Sequence, residues 1–250
     1  MLNGKLALVT GVSRRAGIGY AIASGLAGAG ADLFLHHHAA ADRPWSPDPD
    51  GPEVLAAELS AAHLGLDLTA PGAPERLVAA APGHVDILVC NHALNGADGP
   101  LGTLDADTLD AHWAVNTRST LLLVQAFAAQ HDGRAGGRVV LMTSGQALGP
   151  MPDEIAYATS KAALAGITPT LADHLADRGI TVNAVNPGPV DTGWPSPEQR
   201  ADLLARFPAG RWGRPQDPAR LITWLAGPDA AWVTGQVINS EGGFRRHQHG

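Results

Sequence analysis

Tyr157 and Lys161 have the residue types and the spacing expected of a proton-transfer pair. They lie four positions apart near the start of a predicted helix, so both side chains occupy one helical face, about 6 Å apart along the axis. The pKa of a free tyrosine is about 10, too high for ready proton exchange at neutral pH. A lysine ammonium about 4 Å away contributes roughly 4 kcal/mol at an effective dielectric constant near 20. We therefore expect Lys161 to lower the pKa of Tyr157 toward about 7, where an acid–base catalyst works best.

Ser144 lies thirteen residues before Tyr157, at the end of a predicted strand. From there its hydroxyl can hydrogen-bond the substrate oxygen that exchanges the proton, and so orient it. A Tyr-x-x-x-Lys pair alone occurs by chance on many helices. The serine, together with a glycine-rich segment earlier in the chain, makes the catalytic interpretation the stronger one.

That glycine-rich segment covers residues 10–19, directly after the first predicted strand and at the start of a helix. Glycines allow the backbone to turn tightly there, and the helix N-terminus offers free N–H groups to a pyrophosphate. An ordinary strand-to-helix turn is the alternative, whereas a P-loop is excluded because no Gly-Lys-Ser/Thr follows. Asp67 can accept a hydrogen bond from an adenine amine, and Asn91 can stabilise the strand ends beneath a cofactor. Both residue types also cap helices and shape turns.

The elements that must position these residues alternate between short strand-like and longer helix-like runs, which is typical of parallel strands joined by crossover helices. The predicted strands cover residues 5–10, 31–35, 64–68, 85–91, 138–144, 181–186 and 236–239. The longer predicted helices cover 17–29, 109–130 and 155–177, and Pro169 is expected to kink the last of them. No repeat or boundary divides the chain, so one α/β domain over residues 1–250 is expected.

Two segments interrupt the alternation. Residues 39–52 contain four prolines and are predicted to form a loop. Residues 188–215 contain Trp194 and Trp212, with a short helix near residues 197–206, and are predicted to form a lid over the substrate.

The composition excludes several classes of function. The 250-residue chain is 45% hydrophobic, and its 17 basic and 24 acidic residues give a formal net charge of −7. This balance argues against a nucleic-acid surface or a basic membrane-binding face. Cys90 is the single cysteine, so an internal disulfide is excluded. The sequence shows no signal peptide and no run of roughly 20 apolar residues, and we therefore expect a cytoplasmic protein.

In these motifs and their order the sequence resembles the short-chain dehydrogenase/reductase family, including its 3-oxoacyl-(acyl carrier protein) reductases. The resemblance covers nearly the whole chain. It implies a Rossmann-type doubly wound parallel sheet of about seven strands flanked by helices. It also implies an NAD(P)(H)-dependent oxidoreductase that assembles as a homotetramer.

The resemblance further implies roles for single residues. Asn116 matches a helix asparagine that holds a proton-relay water, and Ser144, Tyr157 and Lys161 match the other catalytic positions, with Lys161 also expected to bind the nicotinamide ribose. Residues 187–192 resemble the segment that contacts the nicotinamide carboxamide. Residues 235–243 resemble a C-terminal strand and turn that often form a subunit interface.

The sequence also departs from the family pattern. Gly11 and Gly17 are separated by five residues where the family usually has three, and His92 and Leu94 replace the second Asn and the Gly of the family's Asn-Asn-Ala-Gly. The longer loop is expected to alter contacts near the adenosine phosphates. Because all four catalytic positions are filled, we expect activity to be retained.

The cofactor prediction is NADP(H) in preference to NAD(H). The second strand runs into three histidines, residues 36–38, instead of the acidic residue with which NAD-binding members hold the ribose hydroxyls. Arg14 and Arg15 can bind a 2′-phosphate bidentately, although a solvated loop is the alternative. No metal site is predicted, because adjacent histidines on a strand point to opposite faces. The predicted cofactor site comprises Gly11, Ser13, Arg14, Arg15, Gly17, Ile18, Gly19, His36, Asp67, Leu68, Asn91, Ala93, Tyr157, Lys161, Pro187, Gly188, Val190 and Thr192.

Gln146, Leu148, Met151 and Trp194 are predicted to line the substrate pocket, with core packing as the alternative for Trp194. They suggest a partly apolar site for a small-molecule carbonyl or alcohol. NADPH-dependent reduction of a 3-oxoacyl thioester or another secondary ketone is the leading hypothesis. An alcohol or sugar dehydrogenase would run the same chemistry in reverse, and a non-catalytic NADP(H) sensor is an alternative of another class. Enoyl reductases of the family generally place six residues between tyrosine and lysine, whereas here there are three.

Overall fold

The computed structural model describes residues 1–38, 48–96 and 98–246, and the strands in these residues form one parallel sheet. The seven strands are Leu6–Val9 (β1), Asp32–His37 (β2), Ala62–Gly65 (β3), Val85–Cys90 (β4), Gly137–Met142 (β5), Ile180–Asn186 (β6) and Val237–Asn239 (β7). Their order is β3-β2-β1-β4-β5-β6-β7. The strand order therefore reverses between β1 and β4, as the doubly wound prediction requires.

Helices cover both faces of this sheet. They are Ile18–Gly28 (α1), Gly51–Glu58 (α2), Ala73–Ala79 (α3), Ala106–His112 (α4), Ser119–Gln130 (α5), Ile155–Ala176 (α6), Pro197–Leu204 (α7) and Gln216–Ala226 (α8). Buried residues of α1 and α8 pack on one face of the sheet, and those of α3, α5 and α6 pack on the other. Each face therefore has its own apolar core.

The apolar runs of the central strands explain this layering. Ala7 and Val9 of β1 lie in the core beneath α1 and α8, whereas Leu6 and Leu8 lie in the opposite core. Successive strand residues point to opposite faces, so a strand covered on both faces must be apolar throughout. The same continuous pattern in β4 and β5 made these strands predictable.

The predicted boundaries differ from the structure at two places. The third strand covers Ala62–Gly65 and not residues 64–68; it is largely exposed at the sheet edge, so its apolar pattern is weak. The helix predicted over 109–130 starts at Ala106, where the Asp105 side chain accepts a hydrogen bond from the Thr108 N–H, and it contains a π-helical segment, Trp113–Arg118.

Pro169 does not end α6, which continues to Ala176. Residues 39–47 of the loop predicted over 39–52 lie outside the described residues, and Gly51 and Pro52 already belong to α2. None of the described helices is both long enough and apolar enough to span a membrane.

Candidate active site

A cavity of about 660 Å³ lies at the carboxyl ends of the strands, at the point where the strand order reverses. Open α/β sheets bind ligands at this position, and the volume is typical of sites for small molecules and cofactors. The predicted cofactor residues that line it are Gly11, Ser13, Arg14, Gly17, Ile18, Gly19, His36, Asp67, Leu68, Asn91, Ala93, Tyr157, Lys161, Pro187 and Thr192.

The glycines of the glycine-rich loop let its backbone pack closely on itself and on the end of β4, beside the cavity. Gly11 has φ of +73°, and a Cβ there would lie 2.8 Å from the Cα of His92. A Cβ at Gly19 would lie 2.4 Å from the carbonyl oxygen of Gly11. Helix α1 begins after Gly17, with no side-chain cap and no acidic residue in its first turn. The residues present therefore fit a pyrophosphate bound at the helix N-terminus.

Asn91 fixes this loop to the end of β4. Its Nδ2 donates hydrogen bonds to the carbonyl oxygens of Thr10 and Gly11, at 3.0 and 3.1 Å. Asp67 lies after β3, and its Oδ1 accepts hydrogen bonds from the Thr69 N–H and hydroxyl, at 2.8 and 2.7 Å. Asn91 and Asp67 both line the cavity.

Two histidines support the loop as neutral hydrogen-bonding groups. His36 Nε2 lies 2.8 Å from the Leu66 carbonyl oxygen, and its Nδ1 accepts from the Gly11 N–H at 3.4 Å. His92 lies between the hydroxyls of Thr10 and Ser119, at 2.7 Å from each. Burial lowers the pKa of His36 to about 4 and that of His92 to about 3. Neither ring supplies positive charge to the cavity at neutral pH.

The two loop arginines have different surroundings. Arg14 lines the cavity and donates a hydrogen bond from Nη1 to the Thr192 carbonyl oxygen at 3.2 Å. Arg15 does not line it and is instead paired with three carboxylates, those of Asp48, Asp50 and Glu58. The prediction that Arg15 binds the cofactor phosphate is therefore not supported, because surplus negative charge surrounds its guanidinium.

Tyr157 and Lys161 meet at the opposite end of the cavity. Lys161 is 2% exposed, its Nζ donates to the Met142 carbonyl oxygen at 2.9 Å, and it lies 5.7 Å from the centroid of the Tyr157 ring. Burial lowers the pKa of Lys161 to about 8.

The expected lowering of the Tyr157 pKa is not found. Burial raises the pKa of Tyr157 to about 12, against the opposing effect of a hydrogen bond with Ser144, and the charge of Glu154 raises it further. The phenol is therefore protonated at neutral pH. Lys161 lies near the ring, as the spacing predicted, but loss of solvation sets the direction of the Tyr157 pKa shift, and the Lys161 charge is not among its causes.

Asn116 lies in the π-helical segment and is fully buried. Its Nδ2 donates to the Leu94 carbonyl oxygen and to the Ser160 hydroxyl, at 3.0 and 2.9 Å, and its Oδ1 accepts from the Leu94 N–H at 2.7 Å. The side chain therefore has no amide hydrogen left for a water molecule. It joins the loop after β4 to the helix that carries Tyr157.

The predicted substrate residues are only partly gathered at the cavity. Trp194 lines it, with Nε1 donating to the Val190 carbonyl oxygen at 2.8 Å. Gln146, Leu148 and Met151 are not in the cavity wall, and Leu148 is 42% exposed. Gly188, Val190, Asn116 and Ser144 are also not in the wall.

Other wall residues were not predicted from the sequence. They are Leu66, Thr69, His38, His92, Leu94, Asn95, Gly96, Val115, Met142 and Thr143. Most of these residues lie one to five positions after a recognised motif. The end of each predicted strand was therefore the sequence signal that could have identified them. Among the described residues, no group of three or more His, Cys, Asp or Glu side chains could hold a metal ion.

Comparison with known proteins agrees with this geometry. A family model described as enoyl-(acyl carrier protein) reductase matches residues 11–245. The uncharacterized oxidoreductase YjdA of Bacillus subtilis strain 168 is 42% identical over 247 residues, covering 97% of each chain. A solved short-chain dehydrogenase/reductase from Serratia marcescens is 35% identical, with 97% of this chain and 98% of that chain covered and a TM-score of 0.83. This chain belongs to the short-chain dehydrogenase/reductase family.

Another solved structure adds a bound cofactor to the comparison. It is a blue fluorescent protein from a metagenomic library in complex with NADPH, 34% identical, with a TM-score of 0.85 and with 97% of this chain and 98% of that chain covered. As a member of the short-chain dehydrogenase/reductase family, this chain is an oxidoreductase, and the predictions of family and fold are confirmed.

Proposed function

We propose that this enzyme reduces a ketone on a small molecule to a secondary alcohol, with NADPH as the hydride donor. The observation that carries the proposal is the half-buried Tyr157 with the buried Lys161 beside the end of β5, in a cavity whose other end is the glycine-rich helix N-terminus after β1. That separation suits a dinucleotide lying along the strand ends with its reactive ring beside Tyr157.

The protein's own groups then have defined tasks. NADPH, when bound, supplies the hydride to the carbonyl carbon. Tyr157, held as a neutral phenol by burial, donates its proton to the carbonyl oxygen. Ser144, which hydrogen-bonds the phenol, orients the same oxygen. Lys161, buried beside the ring, supplies the positive charge that favours the tyrosinate left after proton transfer, and it would hold the nicotinamide ribose.

The preference for NADP(H) over NAD(H) is supported by the adenosine side of the cavity. Among the described residues, the wall there contains Arg14, His36 and His38, and its carboxylate, Asp67, follows β3 and not β2. A guanidinium can bind a 2′-phosphate, whereas the ribose hydroxyls of NAD(H) are typically held by an acid. The NADPH complex of the metagenomic relative agrees with this assignment.

The substrate end of the cavity suits a partly apolar ketone. Leu94, Val115, Met142 and Trp194 supply apolar surface, and Asn95 supplies a polar group. A 3-oxoacyl thioester is the leading candidate within this class. Residues 188–215 are proposed to cover this end, since Trp194 reaches the wall while Trp212 anchors the segment in the protein.

Three alternative functions differ from ketone reduction in what they require of these residues or in their substrate. An alcohol or sugar dehydrogenase would use the same residues with Tyr157 accepting the proton. The description of the matching family model favours an enoyl thioester as substrate, but the close Tyr157–Lys161 pair provides a proton donor for a carbonyl oxygen. A non-catalytic NADP(H) sensor would not require that pair.

We also propose that the enzyme is a homotetramer that uses the β7 edge of the sheet. Trp232, five residues before β7, is 99% exposed, and Val237 of β7 is 40% exposed. Exposed apolar surface of this kind often marks a protein–protein contact. Light scattering of the purified protein and of Trp232→Ser should distinguish a tetramer from a smaller species.

The function is tested by following the near-ultraviolet absorbance of NADPH with 3-oxoacyl thioesters, cyclic ketones, keto sugars and an enoyl thioester. We expect consumption with one ketone class. Consumption with the enoyl thioester alone would replace the proposal by enoyl reduction. Turnover found only with NADP⁺ and alcohols would assign the dehydrogenase direction, and binding without turnover in either direction would favour the sensor.

A further inference from the structure

Helix α6 begins without a cap of its own. Glu154 is the residue before its first turn, and the Glu154 side chain makes no capping hydrogen bond. The first N–H groups of a helix have no partner within the helix and normally require a side-chain acceptor. Here that turn carries Tyr157, so the missing cap concerns the position of the proton donor itself.

Asp98 supplies the acceptors from a distant part of the chain. Its Oδ2 accepts a hydrogen bond from the N–H of Tyr157 at 2.7 Å, and its Oδ1 accepts from the N–H of Ala156 at 3.1 Å. The partly buried carboxylate therefore bonds the same two helix positions that a local cap residue would bond. Its negative charge also lies at the positive end of the helix dipole.

The residues that precede Asp98 are themselves held by hydrogen bonds. Asn116 bonds both the N–H and the carbonyl of Leu94, and His112 Nε2 lies 3.1 Å from the carbonyl oxygen of Gly96. Leu94 and Gly96 line the cavity. Residues 94–96 thus form part of the cavity wall, and Asp98, two positions further along the chain, holds the backbone of Tyr157.

We propose that Asp98 is a positioning residue, which sets the phenol of Tyr157 relative to the cavity wall by capping α6 from the loop after β4. The proposal rests on the proposed carbonyl reduction. Asp98 does not line the cavity. It acts through the backbone of Tyr157, and Glu154, not Asp98, is the carboxylate whose charge raises the pKa of the phenol.

Because Asp98 acts on the position of Tyr157 and Glu154 acts on its pKa, loss of Asp98 should change kcat and not the pH profile. A displacement of about 1 Å in a catalytic group can reduce turnover by about a hundredfold. We expect Asp98→Ala to lower kcat by about ten- to a hundredfold, with the KM for NADPH changed by less than about twofold. Asp98→Asn keeps one acceptor oxygen and should recover part of kcat. The pH at which kcat changes should stay the same in both variants.

The matched control is Asp105→Ala. Asp105 caps α4 by accepting from the Thr108 N–H at 2.8 Å, and it lies at an exposed position outside the cavity wall. Both alanine variants lose a cap of the same chemistry, so both should show a similar decrease in unfolding midpoint. Only Asp98→Ala should lose turnover.

A second readout is independent of turnover. The chain contains two tyrosines, Tyr20 and Tyr157, so fluorotyrosine labelling gives two ¹⁹F resonances, and Tyr20→Phe assigns them. Asp98→Ala should shift or broaden the Tyr157 resonance and leave that of Tyr20 unchanged, whereas Asp105→Ala should change neither. An unchanged Tyr157 resonance, or equal losses of kcat in the two alanine variants, would overturn the positioning role. A wild-type enzyme without ketone reductase activity would refute the proposed function, while the resonances would still decide whether Asp98 positions Tyr157.

Discussion

The ammonium of Lys161 lies 5.7 Å from the centroid of the Tyr157 ring and donates its hydrogen bond to the Met142 carbonyl. Lys161 is buried and Tyr157 is half-buried, and this loss of solvation moves their pKa values toward the uncharged forms, to about 12 for Tyr157 and about 8 for Lys161. At neutral pH the pair therefore combines a phenol with a lysine that is readily deprotonated. Several measurable properties follow from this state.

The first prediction concerns the pH dependence of reduction. Tyr157 stays protonated across the neutral range, whereas Lys161 loses its charge as the pH rises through about 8. The kcat/KM for NADPH at saturating ketone reports ionisations of the free enzyme. This kcat/KM should be constant below about pH 8 and decrease above it, because Lys161 then loses the charge that favours the tyrosinate. A value that increases across this range would contradict the assignment.

The second prediction concerns stability. A lysine whose pKa is lowered in the folded state binds fewer protons there than in the unfolded chain, so the free energy of unfolding increases with pH between about 8 and about 10.5. The upper limit for such a shift is of the order of 3 kcal/mol. Lys161→Met removes this term and should be more stable than the wild type at neutral pH. Urea unfolding at about pH 7.5 and about pH 9.5 should show the difference between the proteins decreasing; a pH-independent difference would exclude a depressed lysine pKa.

The third prediction separates the two loop arginines. Arg14 lines the cavity, whereas Arg15 is held by Asp48 and Glu58 among other carboxylates. Arg14→Ala should raise the KM for NADPH by about tenfold or more, with little change for NADH, because a charged phosphate contact is worth roughly 1.5–3 kcal/mol. Arg15→Ala is the matched control and should leave the preference between the cofactors unchanged. The opposite pattern would show that Arg15 leaves its carboxylates to bind the phosphate.

The fourth prediction tests the packing of the C-terminal segment beside Ser144. A Cβ on Gly145 would lie 1.8 Å from Nη2 of Arg246, whose guanidinium is paired with Glu241. Gly145→Ala should therefore lower kcat by displacing the turn that follows Ser144, and adding Arg246→Ala should restore much of the loss. Gly166→Ala is the control, because its Cβ would meet open space in α6 and alanine favours a helix by roughly 0.5–1 kcal/mol. Failure of the double variant to recover would remove Arg246 as the cause.

The sequence predicted the central sheet well because β1, β4 and β5 are buried on both faces and their apolar runs are continuous. The edge strand β3 was misplaced by two residues at its start and three at its end, since exposed positions leave little hydrophobic pattern. The π-helical segment at Asn116 was not predicted. It depends on contacts with Leu94 and Ser160, which no local spacing contains.

The candidate active site shows the same contrast between features that are local in sequence and contacts between distant residues. Motif spacing located Tyr157, Lys161 and the glycine-rich loop, because these features are local in sequence. Other features of the site join residues 33 to 59 positions apart. They are the ion pairs of Arg15 with Asp48 and Glu58, and the hydrogen bond that the Tyr157 N–H donates to Asp98. Spacing also gave the proximity of Tyr157 and Lys161 but not their burial, and burial determines the direction of both pKa shifts.

The central claim is tested most directly by comparing the wild type with Tyr157→Phe in two assays, NADPH consumption with the best ketone and equilibrium binding of NADPH. The substitution removes the proton donor and leaves the ring beside Lys161. We expect kcat to fall by at least about a hundredfold, as for loss of a general acid, while the Kd for NADPH changes by less than about threefold. A variant that retains most of the wild-type turnover would show that another group donates the proton and would contradict the account.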